Sequence, residues 1–286
     1  MSVDAEILLI GGGSRVAGVL AKALGSRARC VTRRPTGHPG DLIVGDYASI
    51  PSEWFEGVHC VIQCVGTSSG DEAMLEHINA DLPSAIAGAA RAAGVRHMVH
   101  ISSFSVYGRA RWINATTPSS PISAYGRSKL KADCALLALA DDSFMVTILR
   151  LPLVYGGRSR GKLEQLLGLW SRVRILPVPA NDVRRAMIGV DLSAEVILRL
   201  IDTPHPGVVL AADPCPFTYA DTARVRPRRL YRLPLPSVVT RLIKRIAPSI
   251  GDRLFADSSL AEADNIAIMF ELSSRLYRDI ASIDPS

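Results

Sequence analysis

The sequence predicts a doubly wound α/β protein, and three observations carry that reading. Short apolar runs of strand length recur at residues 6–10, 29–32, 42–44, 58–65 and 95–101. Segments of helical character stand between them, notably 19–24 and the alanine-rich 79–93, which ends at Gly94. Glycine, serine or charged residues follow nearly every run, so the chemistry-bearing positions fall at the C-terminal strand ends. Strands alternating with helices on this rhythm give a parallel sheet with right-handed crossovers. Ligands of such sheets bind beyond the C-terminal strand ends.

Composition bounds the rest. The 286 residues are 48% hydrophobic and 21% charged, which suits one large domain or two unequal ones. The expected division is 1–156 and 157–286, with 183–212 returning partly to the sheet. Formal net charge is +6, but the arginines are dispersed. An anionic small ligand or a plain basic surface is therefore expected, and a nucleic-acid partner is not. Five irregularly spaced cysteines, without a signal-peptide pattern, point to a reducing, cytoplasmic location. Cys60 and Cys64 fall in or beside an apolar run and read as core, so no metal is expected. No apolar run approaches the roughly 18 residues of a membrane span.

The first strand runs straight into Gly11-Gly12-Gly13-Ser14-Arg15-Val16-Ala17-Gly18, and an amphipathic helix follows. In strand–turn–helix context, glycines let the backbone turn tightly and approach a pyrophosphate, whose charge then sits at the helix N-terminus. A plain tight turn is the alternative. Arg33 and Arg34 follow the second strand, and no Asp or Glu stands there. In a dinucleotide fold a carboxylate at this point suits the ribose of NAD, and arginine the 2′-phosphate of NADP. NADP(H) is therefore expected over NAD(H), a solvated arginine pair being the alternative. Asp46, after the third strand, could meet the adenine amino group. Gly66 closes the fourth strand where backbone must pass close to a cofactor. The fifth delivers Ser102 and Ser103.

Tyr125 and Lys129 are four residues apart, ahead of an alanine- and leucine-rich helix over 130–140. Residues i and i+4 share a helix face. A neighbouring Lys⁺ favours phenolate, so a Tyr125 pKa lowered toward working pH is expected, which suits a general acid/base. The serine ending the preceding strand could hydrogen-bond the same substrate oxygen. This spacing alone is common; its place in the order of the other segments gives it weight.

Taken in order, the segments 7–20, 44–46, 79–94, 101–108, 125–130, 149–156 and 184–191 resemble the extended short-chain dehydrogenases/reductases of the NAD(P)-dependent epimerase/dehydratase family. The resemblance implies a Rossmann-type NAD(P)-binding domain over 1–156 and a smaller substrate-binding region over 157–286. It implies a catalytic trio, with Ser103 polarising the substrate oxygen, Tyr125 as acid/base and Lys129 as electrostatic partner and holder of the nicotinamide ribose. Implied cofactor contacts are Gly11, Gly13, Ser14, Arg15, Val16, Arg33, Arg34, Asp46, Tyr47, Cys64, Val65, Gly66, Tyr125, Lys129, Leu151 and Val154. Nucleotide-sugar members present an arginine near Arg184 and Arg185 to the substrate pyrophosphate, a task guanidinium suits; a solvent-facing pair is the alternative.

Two departures stand out. The family's G-x-x-G-x-x-G falls on Gly11, Ser14 and Ala17, so only the first glycine remains. The segment Arg150-Leu151-Pro152-Leu153-Val154 lacks the asparagine that many sugar epimerases carry near Leu153. It is more similar to the branch holding nucleotide-sugar 4-ketoreductases and some hydroxysteroid dehydrogenases.

Downstream, residues 161–173 read as a helix, 175–179 as an extended piece and 183–190 as a strand. Residues 191–200 read as a helix N-capped near Asp191, and 208–210 as a last strand. The segment 224–232 is basic and proline-broken. Residues 235–246 read as an amphipathic helix that packs on the domain with Arg241, Lys244 and Arg245 in water. The segment 258–280 matches the family's closing strand and helix only loosely.

The implied function is NAD(P)-dependent 4-keto reduction or 4-epimerisation of a nucleotide sugar. One alternative is a cofactor-binding sensor or assembly protein without chemistry, against which the complete Ser103–Tyr125–Lys129 set argues. Another is a reductase of a non-sugar ketone such as a hydroxysteroid. The expected partner is a small molecule, and a homodimer is left open.

Overall fold

The computed structural model describes residues 6–157, 175–179, 183–219, 231–236, 238–239, 245–246 and 257–278. The helix expected at 161–173 lies outside the described residues, as do 224–230 and, within 235–246, residues 237 and 240–244. In chain order, β1 (Ile7–Ile10) leads into α1 (Arg15–Leu24), β2 (Ala28–Thr32) and β3 (Asp41–Ile43). Next come β4 (Cys60–Gln63), α2 (Glu72–Glu76), a π-helical stretch (His77–Asp81) and α3 (Leu82–Ala92). Strand β5 (His97–Ser103) passes through a 3₁₀ turn (Phe104–Tyr107) to β6 (Trp112–Ile113), α4 (Ala124–Ala138), β7 (Met145–Leu151) and β8 (Leu153–Tyr155). The C-terminal part contributes β9 (Ile175–Pro179), β10 (Arg184–Arg185), β11 (Met187–Gly189), α5 (Val190–Asp202), β12 (Gly207–Leu210) and β13 (Phe217–Thr218).

Seven strands form one sheet in the order β3-β2-β1-β4-β5-β7-β12. Every pairing in it is parallel. Such a sheet is covered on both faces, which is why β1 and β4 are apolar and buried nearly throughout. Side chains alternate across the sheet. Ile7 and Leu9 accordingly enter the core shared with α1 and α5, whereas Leu8 and Ile10 enter the core shared with α3 and α4. Truncating Leu9 to alanine would cost about 2–5 kcal/mol. The strand order reverses between β1 and β4, and that switch point is where such sheets hold ligands.

Three elements depart from the sequence reading. The helix expected at 79–93 starts at Glu72, because Asp71 accepts from the Met74 amide at 2.8 Å and caps it. Pro83 has no N–H and interrupts the i→i−4 ladder. Just ahead of it the helix widens, and the Leu82 amide reaches back five residues to the His77 carbonyl. The strand expected at 183–190 breaks at Ala186 into β10, paired with β13, and β11, paired with β8. The following helix is capped at Gly189 without a side-chain bond. Asp191 sits in its first turn, where a carboxylate favours the positive end of the helix dipole. Among the described residues no helix is long and apolar enough to cross a membrane.

Candidate active site

The glycine turn is shaped by contact rather than by freedom alone. Gly11 has φ +93°, and a Cβ there would lie 2.8 Å from the Val65 amide nitrogen. Only glycine lets the turn press against the end of β4. Ser14, where the family pattern has glycine, serves as the N-cap of α1, accepting from the Ala17 amide at 3.2 Å. The turn thus survives the substitution by using the serine hydroxyl as a cap. Val16 and Ala17 are buried beneath it, and Gly13 is exposed with open space where its Cβ would stand. Arg15 reaches across to β8, donating to the carbonyls of Val154 at 3.1 Å and Gly156 at 3.3 Å.

At the end of β2, Thr32 donates its hydroxyl to the Arg34 carbonyl at 2.9 Å, and Arg33 and Arg34 are exposed. The Arg33 guanidinium lies 5.8 Å from the centre of the Tyr47 ring, within cation–π range. Asp46 caps the short turn that holds Tyr47, accepting from the Ala48 amide at 3.0 Å. Beyond Arg34 the chain is clasped: Asp41 accepts from the Thr36 amide at 2.6 Å and the Thr36 hydroxyl at 2.8 Å. Cys30, His38 and Asp41 approach one another in this clasp. His38 Nδ1 already accepts from the Gly40 amide at 3.0 Å, and Nε2 lies 3.0 Å from the Gly25 carbonyl.

A cavity of ≈ 240 Å³ opens at the strand ends, lined by residues 64–68, Ile101, Ser102, Tyr125 and Lys129. The helix that carries Tyr125 and Lys129 is N-capped by Ser123, which accepts from the Gly126 amide at 3.0 Å. Gly126 is required: a Cβ there would lie 2.5 Å from the Ser105 carbonyl, on the turn that follows Ser103. That close approach brings the helix against the serine turn, and the Ser103 hydroxyl faces the Tyr125 phenol. Lys129 is 4% exposed and donates from Nζ to the Ile101 carbonyl at 2.9 Å. Gly66 lets the cavity wall pass close by, since its Cβ would be 3.3 Å from Lys129 Nζ.

Electrostatics correct one expectation. The Tyr125 pKa is raised, not lowered, because burial outweighs the Ser103 hydrogen bond, and Asp133 adds to the rise. Burial draws Lys129 down from 10.5 to about 8, against the opposing pull of Asp133 and Cys64. Burial also pushes the Cys64 thiol up to about 12. At neutral pH this is a protonated phenol beside an ammonium, with a neutral thiol in the wall.

Several residues of this site are not evident from sequence spacing. Asn79 is fully buried in the π-helical stretch and makes three bonds. Its Oδ1 accepts from the Thr67 amide at 2.9 Å, and its Nδ2 donates to the Thr67 carbonyl at 2.9 Å and to Ser128 Oγ at 3.0 Å. One amide thus joins the cavity wall to the Tyr125 helix, and π-helical turns recur at functional sites. Below Lys129, Asp133 and Arg150 form a buried ion pair at 2.9 Å. The only sequence signal is Asp133 at i+4 from Lys129, a charged residue on an otherwise buried face.

The remaining expected residues are spread out. Leu151 is buried and paired in register with Ser103. Arg184 and Arg185 lie on β10, Arg184 exposed and Arg185 partly buried. The Arg185 cation acts on the Tyr219 phenol. Neither arginine lines the cavity, and consecutive strand positions point to opposite sides.

The rim suits a dinucleotide. An open turn at Gly13 precedes the N-terminus of a ten-residue helix, where a pyrophosphate is favoured, and Gly66 leaves space beside the Lys129 ammonium. A family model described as the NAD dependent epimerase/dehydratase family matches residues 7–209. A UDP-glucose 4-epimerase of Vibrio cholerae is 28% identical over 177 residues, 56% of this chain and 53% of that protein. The chain thus spans about half the length of the curated relative it matches. Among solved structures, MoeE5 in complex with UDP-glucose and NAD gives a TM-score of 0.74 at 19% identity, covering 98% of each chain. A UDP-glucuronic acid 4-epimerase from Bacillus cereus in complex with NAD gives 0.68 at 16% identity, covering 96% of this chain and 98% of that one. At such identities the two likenesses show the fold alone.

Proposed function

This chain belongs to the NAD-dependent epimerase/dehydratase family, and on that premise we propose that it reduces or epimerises a nucleotide sugar at C4 through Ser103, Tyr125 and Lys129. One observation carries the reading: Tyr125 and Lys129 line a single cavity at the switch-point strand ends, with the Ser103 hydroxyl against the phenol. Two similar proteins, a UDP-glucose 4-epimerase and one holding UDP-glucose and NAD, support the substrate and cofactor class.

When bound, the nicotinamide nucleotide supplies and accepts hydride. The chain's own residues handle the proton and the charge. Ser103 Oγ donates to the substrate oxygen and orients it toward Tyr125. Tyr125 Oη gives its proton to that oxygen during reduction and takes it back during oxidation. Its raised pKa keeps the phenol protonated at neutral pH, the state from which a reduction starts. Lys129, positively charged below about 8, stabilises the phenolate that is left. The residues that would hold the dinucleotide are the turn Gly11–Val16 with its helix N-terminus, Asp46 and Tyr47 near adenine, Cys64–Gly66, Leu151 and Val154 along the strand ends, and Lys129. The exposed Arg33 and Arg34 support NADP(H) over NAD(H). The solved neighbours hold NAD, so this preference rests on the two arginines of this chain.

In the same reading, residues 1–156 mainly hold the cofactor and 157–286 mainly bind the substrate, with 183–212 returning partly to the sheet. A cytoplasmic location is part of it, supported by five free cysteines. The deciding experiment incubates the purified protein with a panel of nucleotide sugars plus NAD+ or NADP+, and with 4-keto nucleotide sugars plus NADH or NADPH. Cofactor-dependent conversion of at least one is expected. Turnover confined to steroid or simple ketone substrates would remove the sugar reading.

A further inference from the structure

We infer that Arg150 and Asp133 form a positioning unit for the active site, tying the turn that carries Ser103 to the helix that carries Tyr125 and Lys129. The inference rests on the catalytic roles proposed above for those three residues.

Arg150 lies in β7, paired in register with Ser102 of β5, and is 7% exposed. Its Nε donates to Asp133 Oδ2 at 2.9 Å, and its Nη1 donates to the Tyr107 hydroxyl at 2.8 Å. The guanidinium also lies 5.0 Å from the centre of the Tyr107 ring. Each arm reaches an element that bears catalytic groups. Tyr107 closes the 3₁₀ turn that Ser103 opens as its N-cap, with the Ser105 amide donating to Ser103 Oγ at 3.1 Å. Asp133 stands one helical turn beyond Lys129 and two beyond Tyr125, on the same face of α4. The guanidinium fork holds its donors at fixed angles, so its two bonds set the distance between turn and helix. An ammonium has no such fork.

The pair also carries charge to the right place. Burial raises the Asp133 carboxyl, and the Arg150 guanidinium and the neighbouring Ser102 hydroxyl oppose that rise and favour the carboxylate. The carboxylate's field therefore bears on Lys129, where it opposes the effect of burial. The other titratable groups facing Lys129 are Cys64 at the end of β4, His100 in β5 and Tyr125 on its own helix. Burial holds His100 well below its ordinary range, so it is neutral, and it raises the Cys64 thiol to about 12. That leaves Asp133 as the anion among these neighbours. Buried ion pairs are weak sources of stability compared with apolar packing, which points to a geometric and electrostatic use for this one.

Three variants test the inference, with cofactor affinity read apart from turnover. Tyr107→Phe removes one hydroxyl and leaves the Asp133 bond. The expected result is kcat about tenfold lower with KM and NADPH affinity unchanged, as for an interaction realised in the transition state. Arg150→Lys keeps the charge but not the fork, and its kcat should fall at least as far. Asp133→Asn keeps the shape and removes the charge. NADPH affinity should then weaken at neutral pH, and the pH above which it is lost should move below the wild-type value. A merely structural pair would lower the melting temperature and move neither the kcat-to-KM split nor that pH curve. Unchanged kcat in Tyr107→Phe and Arg150→Lys would overturn the inference. If the wild type converts no nucleotide sugar, the functional reading fails separately. The Asp133→Asn cofactor curve then decides alone, and an unshifted curve overturns the inference.

Discussion

Lys129 turns its ammonium to the main-chain carbonyl of Ile101, 2.9 Å away, while the phenol of Tyr125 one turn earlier faces Ser103. The lysine is therefore fixed by the strand that delivers the serine, and strand, serine and helix become one unit. Burial dominates the protonation of both groups, raising the phenol and lowering the ammonium.

A stability measurement follows from Lys129. Its folded pKa, about 8, lies below the ordinary 10.5. The unfolded chain therefore binds more protons between those values, and stability rises with pH through that window. Below about 8 the buried cation costs stability. Lys129→Met should be more stable than the wild type at pH 7, by on the order of 1–3 kcal/mol, and the gap should narrow by pH 10. Thermal melts at the two pH values check this. A variant less stable than wild type at both would contradict it.

Asn79 should behave as a joint between the cavity wall and the catalytic helix. Asn79→Leu removes the partner of the half-buried Thr67 amide and carbonyl, at a cost of about 1–3 kcal/mol. Cofactor affinity should fall with it, because Gly66 and Thr67 lose their tether to Ser128. Denaturant unfolding and fluorescence titration measure the two effects. Affinity unchanged in a destabilised variant would limit Asn79 to folding.

The cofactor preference is tested at the end of β2. NADPH should bind more tightly than NADH, by on the order of 1.5–3 kcal/mol for charge-assisted bonds to the phosphate. Arg33→Ala combined with Arg34→Ala should remove that difference and leave NADH affinity alone. Equal affinities in the wild type would assign the arginines to solvent.

Arg184 and Arg185 point to opposite sides of β10, so the two single variants should differ. Arg184→Ala or Arg185→Ala, but not both, should raise KM for a nucleotide sugar at least about tenfold without changing NADPH affinity. A double variant that folds and keeps the wild-type KM would show that neither meets the substrate pyrophosphate.

How much of this the sequence disclosed follows from which interactions are local. The turn from Gly11 to α1 and the spacing of Ser103, Tyr125 and Lys129 are visible because backbone freedom and helix periodicity are local properties. The direction of the Tyr125 shift is not, because burial depends on what the rest of the chain lays over the phenol. Asn79 is hidden in an alanine-rich run, and its orientation depends on the widened turn ahead of Pro83. Asp133 and Arg150 are 17 residues apart and meet only once α4 packs on β7. The split of β10 from β11 at Ala186 depends on two different partner strands, β13 and β8, which no local pattern reveals.

The central claim is that Tyr125 moves the proton, and turnover by Tyr125→Phe on the best nucleotide sugar tests it most directly. The substitution removes one oxygen from a helix whose cap, glycine contact and lysine remain. The expected result is a rate lower by at least about 10²–10⁴-fold, with cofactor affinity close to that of the wild type. A Tyr125→Phe protein that turns over at the wild-type rate would place the acid/base elsewhere and contradict the assignment.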